Sequence, residues 1–252
     1  LVAALLKDEA VKAANIVATV AHKESAERLG ETSGVRVCME NEEAVRGADL
    51  VLLCAKPKVT RRVLAELKAV GALAHRPLVV SIAAGVSTTE LEELGGEELA
   101  VVRAMPNTPC LVGEGMSVLS AGTHAGDSEL DAAEALLAPL GRVLRLDEEH
   151  MDAVTGLSAS GPAFIYVIIE ALSEGGVLVG LPRDVATELT AQTVAGAARM
   201  VQETGRHPAA LKDDVTTPAG CTISALLALE DGRLRSVLAR GVQEAARAAS
   251  EL

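Results

Sequence analysis

A glycine-containing turn between two predicted helices is the part of this sequence best suited to bind a small anion. The stretch Leu211–Glu230 reads LKDDVTTPAGCTISALLALE. Proline and glycine at residues 217–220 favour a tight turn, and an apolar helix starts again from Thr222. The first backbone N–H groups of that helix, near Cys221, lack partners within the helix and lie at the positive end of its dipole. Together with the Thr217 hydroxyl, they predict a carboxylate pocket.

The same stretch also fits an ordinary pair of helices whose threonines cap their own ends. The two interpretations differ in whether the hydroxyls and N–H groups face a ligand or their own backbone. Spacing alone slightly favours the capping role, so both interpretations stay open at this point.

Three predicted strands end in residues that suit a flat ligand. Ligands of open parallel sheets lie beyond the carboxyl ends of the strands. Small residues there let a ligand approach the backbone, and a lysine suits a phosphate or a ribose. Taken singly, each loop is more simply a strand exit or a solvated charge. The three strand–loop pairs are Asp49–Cys54 with Ala55-Lys56-Pro57, Leu78–Ile82 with Ala83-Ala84-Gly85, and Leu99–Ala104 with residues 105–109 (MPNTP).

The end of the first predicted strand, Asn15–Val20, indicates which dinucleotide the sheet would bind. Folds that prefer NAD place an acid there for the ribose 2′-hydroxyl. This chain has Ala21-His22-Lys23 instead, and a cation at that edge suits the 2′-phosphate of NADP(H). The glycine-rich turn of such a fold and the strand before it are expected to precede Leu1, because residues 1–7 fit the helix that follows the turn.

The order of predicted elements indicates two domains. Strands alternate with helices up to about residue 147, which predicts βαβ units and a mostly parallel sheet. From Met151 onwards the pattern is helical, so we place the boundary between 148 and 149. The predicted strands are Asn15–Val20, Val35–Met39, Asp49–Cys54, Leu78–Ile82, Leu99–Ala104, Gly115–Ser120 and Arg142–Leu146. The predicted helices are Leu1–Lys7, Glu24–Gly30, Glu42–Arg46, Val59–Val70, Thr88–Leu94, Phe164–Gly180, Arg183–Thr204, Ala209–Asp213 and Thr222–Leu252.

Composition excludes several kinds of partner. The net charge is -12 and the only aromatic residues are Phe164 and Tyr166, which argues against a nucleic-acid groove. The four cysteines are widely separated and the five histidines show no ligand spacing, so we expect reduced thiols and no metal site. The most apolar run, Pro162–Ile169, is shorter than a bilayer span, and we expect no membrane insertion.

Four motifs follow one another along the chain: Ala55-Lys56-Pro57, residues 103–109 (RAMPNTP), residues 152–162 (DAVTGLSASGP) and the Leu211–Glu230 stretch. Together they resemble the pyrroline-5-carboxylate reductase family over essentially the whole sequence. The resemblance implies a fold class of α/β Rossmann-like N-terminal domain plus all-α C-terminal dimerisation domain. It implies reduction of L-1-pyrroline-5-carboxylate to L-proline with NADPH, or with NADH as the alternative cofactor, by a homodimer or a decamer.

The resemblance also implies roles for individual residues. Cofactor contacts fall on Val20, His22, Asn41, Ala55, Lys56, Pro57, Ala83 and Ala84. Substrate contacts fall on Glu148, Thr155, Asp214, Cys221 and Thr222. To these the chemistry of the turn adds Thr217 as a substrate contact. The same chemistry makes Thr222 the candidate catalytic residue, which would hydrogen-bond the imine nitrogen and either relay a proton to it or only orient it. Ala219 stands where the family has the first glycine of a Pro-Gly-Gly turn, and Asp214 stands where related sequences often have asparagine.

Two other functions compete with this hypothesis. One is a two-domain dehydrogenase of hydroxy acids, which would need a histidine or cationic base at the domain junction. The other is a non-catalytic protein on a reductase scaffold. The predicted compartment is the cytoplasm, with the mitochondrion as the alternative.

Overall fold

The computed structural model describes residues 2–7, 11–96 and 98–252, and these form two compact units. The first unit consists of Leu1–Ser160 with Glu244–Leu252, and the second of Gly161–Gln243. Strands and helices alternate in the first unit and only helices occur in the second, which confirms the predicted fold class. Residues 149–160, which the predicted boundary assigns to the helical domain, lie in the α/β unit.

Each of the predicted strands is present in the first unit. They are β1 Val17–Thr19, β2 Arg36–Cys38, β3 Leu50–Leu53, β4 Leu78–Ser81, β5 Val101–Met105, β6 Gly115–Ala121 and β7 Gly141–Arg145. Strands β1 and β2 pair in parallel, and the other five form a sheet in the order β3-β4-β5-β6-β7. Only β5 and β6 of these pairs are antiparallel, because the short connection between them leaves no room for a crossover helix.

Seven α-helices of the first unit surround the strands. They are α1 Val2–Lys7, α2 Lys23–Ser33, α3 Asn41–Val45, α4 Pro57–Ala69, α5 Thr88–Gly95, α6 Asp127–Leu137 and α7 Met151–Val154. Leu1, in the first predicted helix, lies outside the described residues. Helix α6 was not among the predicted helices, although Glu129 at its third position accepts a hydrogen bond of 2.8 Å from the Gly126 N–H, which is typical of a helix start.

Alternate residues of the central strands build two hydrophobic cores. Val79 and Val101 pack with Leu64 of α4 and Leu91 of α5 on one face of the sheet. On the other face, Val80 and its neighbours pack with α6. Because both faces are covered, the strands are continuous apolar runs rather than alternating ones, and the carboxyl ends of β3 and β4 are held in a rigid frame.

Five helices form the rest of the chain. They are α8 Gly161–Leu178, α9 Arg183–Thr204, α10 Pro208–Asp214, α11 Cys221–Asp231 and α12 Leu234–Ala249, whose last residues belong to the first unit. The prediction of one helix over Thr222–Leu252 was wrong. The chain turns at Gly232 and at Arg233, which has a positive φ of 56°, and this left-handed residue separates α11 from α12.

The second unit has almost no interior of its own. Only Ser173 and Ala186 are buried among residues 161–243, all of which the structure describes. Large apolar side chains are exposed instead, such as Val167 at 64% and Leu178 at 87%. A hydrophobic core supplies most of the free energy that opposes chain entropy, so this helical unit requires apolar surface from elsewhere to be stable.

One apolar helical segment is longer than the sequence pattern predicted. Among the described residues, the continuous helical segment Glu148–Leu178 is long and apolar enough to cross a bilayer by length and composition alone. The expectation that the apolar run is too short to span a membrane was therefore wrong about its length. It was based on Pro162–Ile169, whereas the apolar helix extends beyond both ends of that run.

Candidate active site

The loops after β3 and β4 lie side by side at one edge of the sheet. The two strands are parallel neighbours, and Leu53 pairs with Ser81 at their carboxyl ends. Lys56 is the N-cap residue of α4, with Pro57 as its first residue, and Lys56 is exposed. The structure thus brings together the predicted cofactor residues of both loops, as the positions of the strand ends required.

The loop after β4 has a small, closely packed backbone. Ala83 is only 2% exposed, and its N–H donates to the Ser81 hydroxyl at 3.3 Å. Gly85 has φ +67°, and a Cβ atom there would lie 2.5 Å from the Cβ of Leu252. The Ala83 side chain therefore packs into the core, whereas the half-buried Ala84 presents a small side chain on a fixed loop, which fits a flat dinucleotide.

The end of β1 forms a second part of the candidate cofactor site. The Thr19 hydroxyl donates a hydrogen bond of 2.7 Å to the side-chain oxygen of Asn41. This bond orients the Asn41 amide so that its NH2 group is available as a donor to a ligand. His22 is exposed and is the N-cap residue of α2, but its side chain does not cap the helix. Val20, between Thr19 and His22, is half-buried.

Glu148 is engaged within the chain. Its carboxylate accepts hydrogen bonds from the Thr88 N–H at 2.8 Å, the Thr88 hydroxyl at 2.5 Å and Arg103 Nη1 at 3.1 Å. It thereby places a negative charge at the N-terminus of α5, where the helix dipole favours it. A substrate contact by Glu148 stays a prediction, and the structure gives this residue the additional role of fixing the start of α5.

Arg103, the partner of Glu148, is a buried cation that sequence reasoning passed over. The residue is 5% exposed, and its Nη2 atom lies 3.9 Å from Oδ1 of Asp152. Among the described residues, Nε and Nη2 of Arg103 have no hydrogen-bond partner. The only sequence signal was an arginine inside an otherwise apolar strand, which indicates a paired charge in the interior.

Thr155 lies in a π-helical turn that the sequence analysis did not predict. This turn spans Thr155–Ala159, and turns of this type frequently occur at functional sites. The Thr155 hydroxyl donates to the Met151 carbonyl at 2.8 Å, so only its lone pairs are available to a ligand. Asn107 supports the turn, because its amide donates to the Ser158 carbonyl at 3.0 Å and accepts from the Met116 N–H at 2.8 Å.

The turn before α11 in the second unit has the predicted anion-binding features. Helix α11 begins at Cys221, one residue earlier than predicted, and its N-cap residue Gly220 has no side chain to cap it. The N–H groups of Cys221, Thr222 and Ile223 therefore have no partner within the helix. The Gly220 N–H instead donates to the Thr217 carbonyl at 3.0 Å, which closes the turn.

The capping and the ligand-binding interpretations apply to different threonines. The Thr216 hydroxyl donates to the Lys212 carbonyl at 2.7 Å, so it caps the C-terminus of α10, as the capping interpretation predicts. Thr222 is half-buried, and its hydroxyl is not used in a hydrogen bond with any other residue of the described parts of the chain. The Thr222 hydroxyl and the first N–H groups of α11 thus retain their capacity to bind a ligand.

Comparison with known proteins decides the family. The sequence model described as pyrroline-5-carboxylate reductase dimerisation matches residues 148–252, and the one described as NADP oxidoreductase, coenzyme F420-dependent, matches residues 1–85. A pyrroline-5-carboxylate reductase of Arabidopsis thaliana is 44% identical over 239 residues, which are 94% of this chain and 86% of that protein. The chain belongs to the pyrroline-5-carboxylate reductase family. The resemblance seen in the sequence motifs is therefore confirmed.

Solved structures of the same family share the fold. The pyrroline-5-carboxylate reductase of Coxiella burnetii has a TM-score of 0.91 at 34% identity, and the match covers 99% of this chain and 92% of that one. The Plasmodium falciparum pyrroline carboxylate reductase, solved with NADP bound, has a TM-score of 0.87 at 29% identity, with 99% and 93% covered.

Asp214, which the family resemblance placed near the substrate, is paired with a cation. Arg206 Nη1 donates to Asp214 Oδ2 at 2.6 Å, and this bond lowers the pKa of the Asp214 carboxyl below its ordinary value. The side chain is therefore ionised at neutral pH and has no proton to donate. Arg206 offsets the negative charge that Asp214 would otherwise bring near a carboxylate substrate.

Ala219, where the reductase family has a glycine, is strained in this chain. Its φ is 57°, in the left-handed region that disfavours any side chain. We expect Ala219→Gly to raise the free energy of unfolding by about 1 kcal/mol, because glycine removes this strain at a small entropic cost. Denaturant unfolding at one protein concentration measures the change. As a control, Ala225→Gly inside α11 should lower the free energy of unfolding by about 0.5–1 kcal/mol. A change in the same direction in both variants would show that Ala219 is not strained.

Proposed function

We propose that this chain catalyses the NAD(P)H-dependent reduction of L-1-pyrroline-5-carboxylate to L-proline. Membership of the reductase family supports the reaction, since its relatives bear that name. The observation that carries the proposal is the start of α11, where unpaired N–H groups and the unused Thr222 hydroxyl offer donors to a small cyclic acid. A carboxylate is the ligand that such a helix start favours.

The residues of the first unit fit a dinucleotide. Ala55, Lys56 and Pro57 would line one side and Ala83 with Ala84 the other, while Asn41 would donate to the ribose. His22 and Lys23, after Val20, favour the 2′-phosphate of NADPH, with NADH as the alternative. When bound, the cofactor supplies the hydride that reduces the C=N carbon.

The second unit supplies orientation for the substrate. The N–H groups of Cys221 and Thr222 hold the carboxylate, helped by the Thr217 hydroxyl. The Thr222 hydroxyl donates a hydrogen bond to the imine nitrogen, which must gain a proton as its carbon is reduced. Since a threonine hydroxyl is a weak acid and Asp214 is ionised, the proton comes from water through Thr222. If the imine is already protonated when it binds, its N–H instead donates to the Thr222 oxygen, which then only orients it.

The decisive assay uses the purified chain with three substrates in turn. It follows NADPH oxidation with pyrroline-5-carboxylate and with an oxo acid, and NADP+ reduction with the matching hydroxy acid. We expect oxidation with pyrroline-5-carboxylate and equimolar formation of proline. Oxidation of NADPH only with an oxo acid, or reduction of NADP+ only with the matching hydroxy acid, would support a related dehydrogenase instead. Binding of NADPH without turnover of any of the three substrates would support a non-catalytic protein on this scaffold.

We also propose that the chain works as a homodimer built through its helical unit, with a decamer as the larger alternative. The dimerisation family model covers this unit, and the unit buries only Ser173 and Ala186 by itself. A second copy that covers α8 accounts for its exposed apolar side chains without a membrane, and without nucleic acid as a partner.

The mass in solution tests this assembly. Light scattering after gel filtration, in buffer without detergent, should give at least twice the mass of one chain. Val167→Glu on exposed α8 should shift the protein toward smaller species, because it buries a charge in the interface. As a control, Glu244→Gln on α12 should leave the mass unchanged. A protein that stays monomeric, or that needs detergent to remain in solution, would contradict the proposal.

A domain division at 148/149 is also proposed; it follows the start of the dimerisation family model at residue 148, while the compact α/β unit extends to Ser160.

A cytoplasmic location completes the proposal, with the mitochondrion as the alternative compartment. All four cysteines are free, which is consistent with a reducing compartment. Fractionation of cells that express the full protein would test the location.

A further inference from the structure

Arg61 connects the two loops of the candidate cofactor site. It lies on α4, one turn after Pro57, and its Nη2 donates to the Gly85 carbonyl at 3.1 Å. The same guanidinium binds Glu90 of α5 with both arms, Nε to Oε1 at 2.7 Å and Nη2 to Oε2 at 3.2 Å. One side chain thus joins the helix that begins at the Ala55–Pro57 loop to the loop that follows β4.

The Gly85 carbonyl, which accepts the hydrogen bond from Arg61, controls the position of the two alanines before it. Gly85 directly follows Ala83 and Ala84, and its φ of +67° is accessible mainly to glycine. Leu252 packs against Gly85, and the Cβ of Leu252 lies 2.5 Å from the position that a Cβ of residue 85 would occupy. With one side packed and the carbonyl held by Arg61, the preceding alanines have little freedom to move.

The other end of this loop is fixed separately. Glu148 holds the N–H and the hydroxyl of Thr88, and the Ser87 hydroxyl caps α5 by accepting from the Glu90 N–H at 3.1 Å. The ion pair between Arg61 and Glu90 is therefore anchored to a fixed element, because Glu90 lies in the first turn of α5 and the N-terminus of this helix is held in place. Loss of Arg61 would release the Gly85 end of the loop and leave the α5 end in place.

The guanidinium is the one cationic group that suits this geometry. A planar fork binds a carboxylate with two bonds and still has an N–H left for a carbonyl, whereas a lysine ammonium has no such plane. The side chains of Arg61 and Glu90 are 32% and 36% exposed, so the ion pair by itself contributes little to overall stability. Its main effect is on the position of the loop.

We propose that Arg61 is a positioning residue for the dinucleotide, which acts through the Gly85 carbonyl to hold Ala83 and Ala84 in register with the Ala55–Pro57 loop. This inference rests on the proposed function, since it names a further residue for the same site. Arg61 itself need not touch the cofactor.

The test compares Arg61→Met with Arg62→Met. Arg62 is the adjacent residue on α4, is 68% exposed and pairs only with Glu66 of the same helix, at 3.7 Å, so it is a matched control. We expect Arg61→Met to weaken NADPH binding about tenfold in a fluorescence titration without substrate, because a loop that is no longer held must be ordered when the cofactor binds. The KM for pyrroline-5-carboxylate and the melting temperature should stay close to those of the parent. Hydrogen exchange at the amides of Ala84 and Gly85 should become faster.

Other outcomes would overturn the inference. If Arg61→Met binds NADPH as Arg62→Met does, Arg61 does not position the cofactor. If it lowers the melting temperature and changes every kinetic constant in proportion, its role is in the fold alone. Failure of the proposed function is distinguishable, because the parent would then bind NADPH but leave pyrroline-5-carboxylate unreduced, and the binding and exchange measurements would still decide the role of Arg61.

Discussion

Replacing Thr222 with alanine is expected to lower kcat for pyrroline-5-carboxylate by about 10²-fold, the usual contribution of a positioned proton-transfer group. The Thr222 hydroxyl is not used by the fold, so its loss should remove an interaction with the substrate and little else. The KM for NADPH and the melting temperature should remain near the parent values. Steady-state rates at saturating cofactor measure the effect.

Two companion variants make this result specific. Thr222→Ser keeps the hydroxyl and should retain most of the activity. Ser224→Ala removes a hydroxyl from the same helix that bonds only to its own backbone, at the Gly220 carbonyl 3.4 Å away, and should have no effect on kcat. If Thr222→Ala stays within about threefold of the parent, the hydroxyl has no catalytic role.

Replacing Gly141 with alanine should have the largest effect on folding. Gly141 has φ 139° and ψ -145°, a region that is essentially restricted to glycine. It also pairs with Gly115 between β6 and β7, and a Cβ there would lie 2.1 Å from the Gly115 carbonyl oxygen and 2.5 Å from its nitrogen. Because both neighbours are backbone atoms, the strands themselves must separate, and we expect a loss of more than about 4 kcal/mol.

Gly96→Ala is the matched control for this effect. Gly96 has a similar φ of 137°, but, its chain neighbours aside, no atom of the described residues lies within 4 Å of where its Cβ would be. Backbone strain alone should cost about 1–3 kcal/mol there. Denaturant midpoints and soluble yield at one protein concentration measure both variants, and equal losses would show that the contact with Gly115 has no part in the effect.

The features that the sequence predicted correctly depend on local patterns. Apolar runs such as Leu78–Ser81 identify buried strands because their neighbours on both sides of the sheet are apolar too. Pro218 and Gly220 identify the turn before α11 because they restrict or release backbone angles wherever they occur. Prediction failed where local signals were weak or were not considered, as for α6 and for the break between α11 and α12 near Arg233.

The sequence by itself determined the α/β and helical domains, the loops that suit a dinucleotide, and the turn with unpaired N–H groups at the start of α11, since each follows from residues close together in the chain. Only the tertiary structure decided which distant groups meet. Glu148 holds Thr88, Arg61 holds Gly85, and Gly141 faces Gly115. These contacts depend on the order of strands in the sheet and on the packing of helices against it. No pattern of neighbouring residues encodes that arrangement, because many different pairings would satisfy the same local preferences.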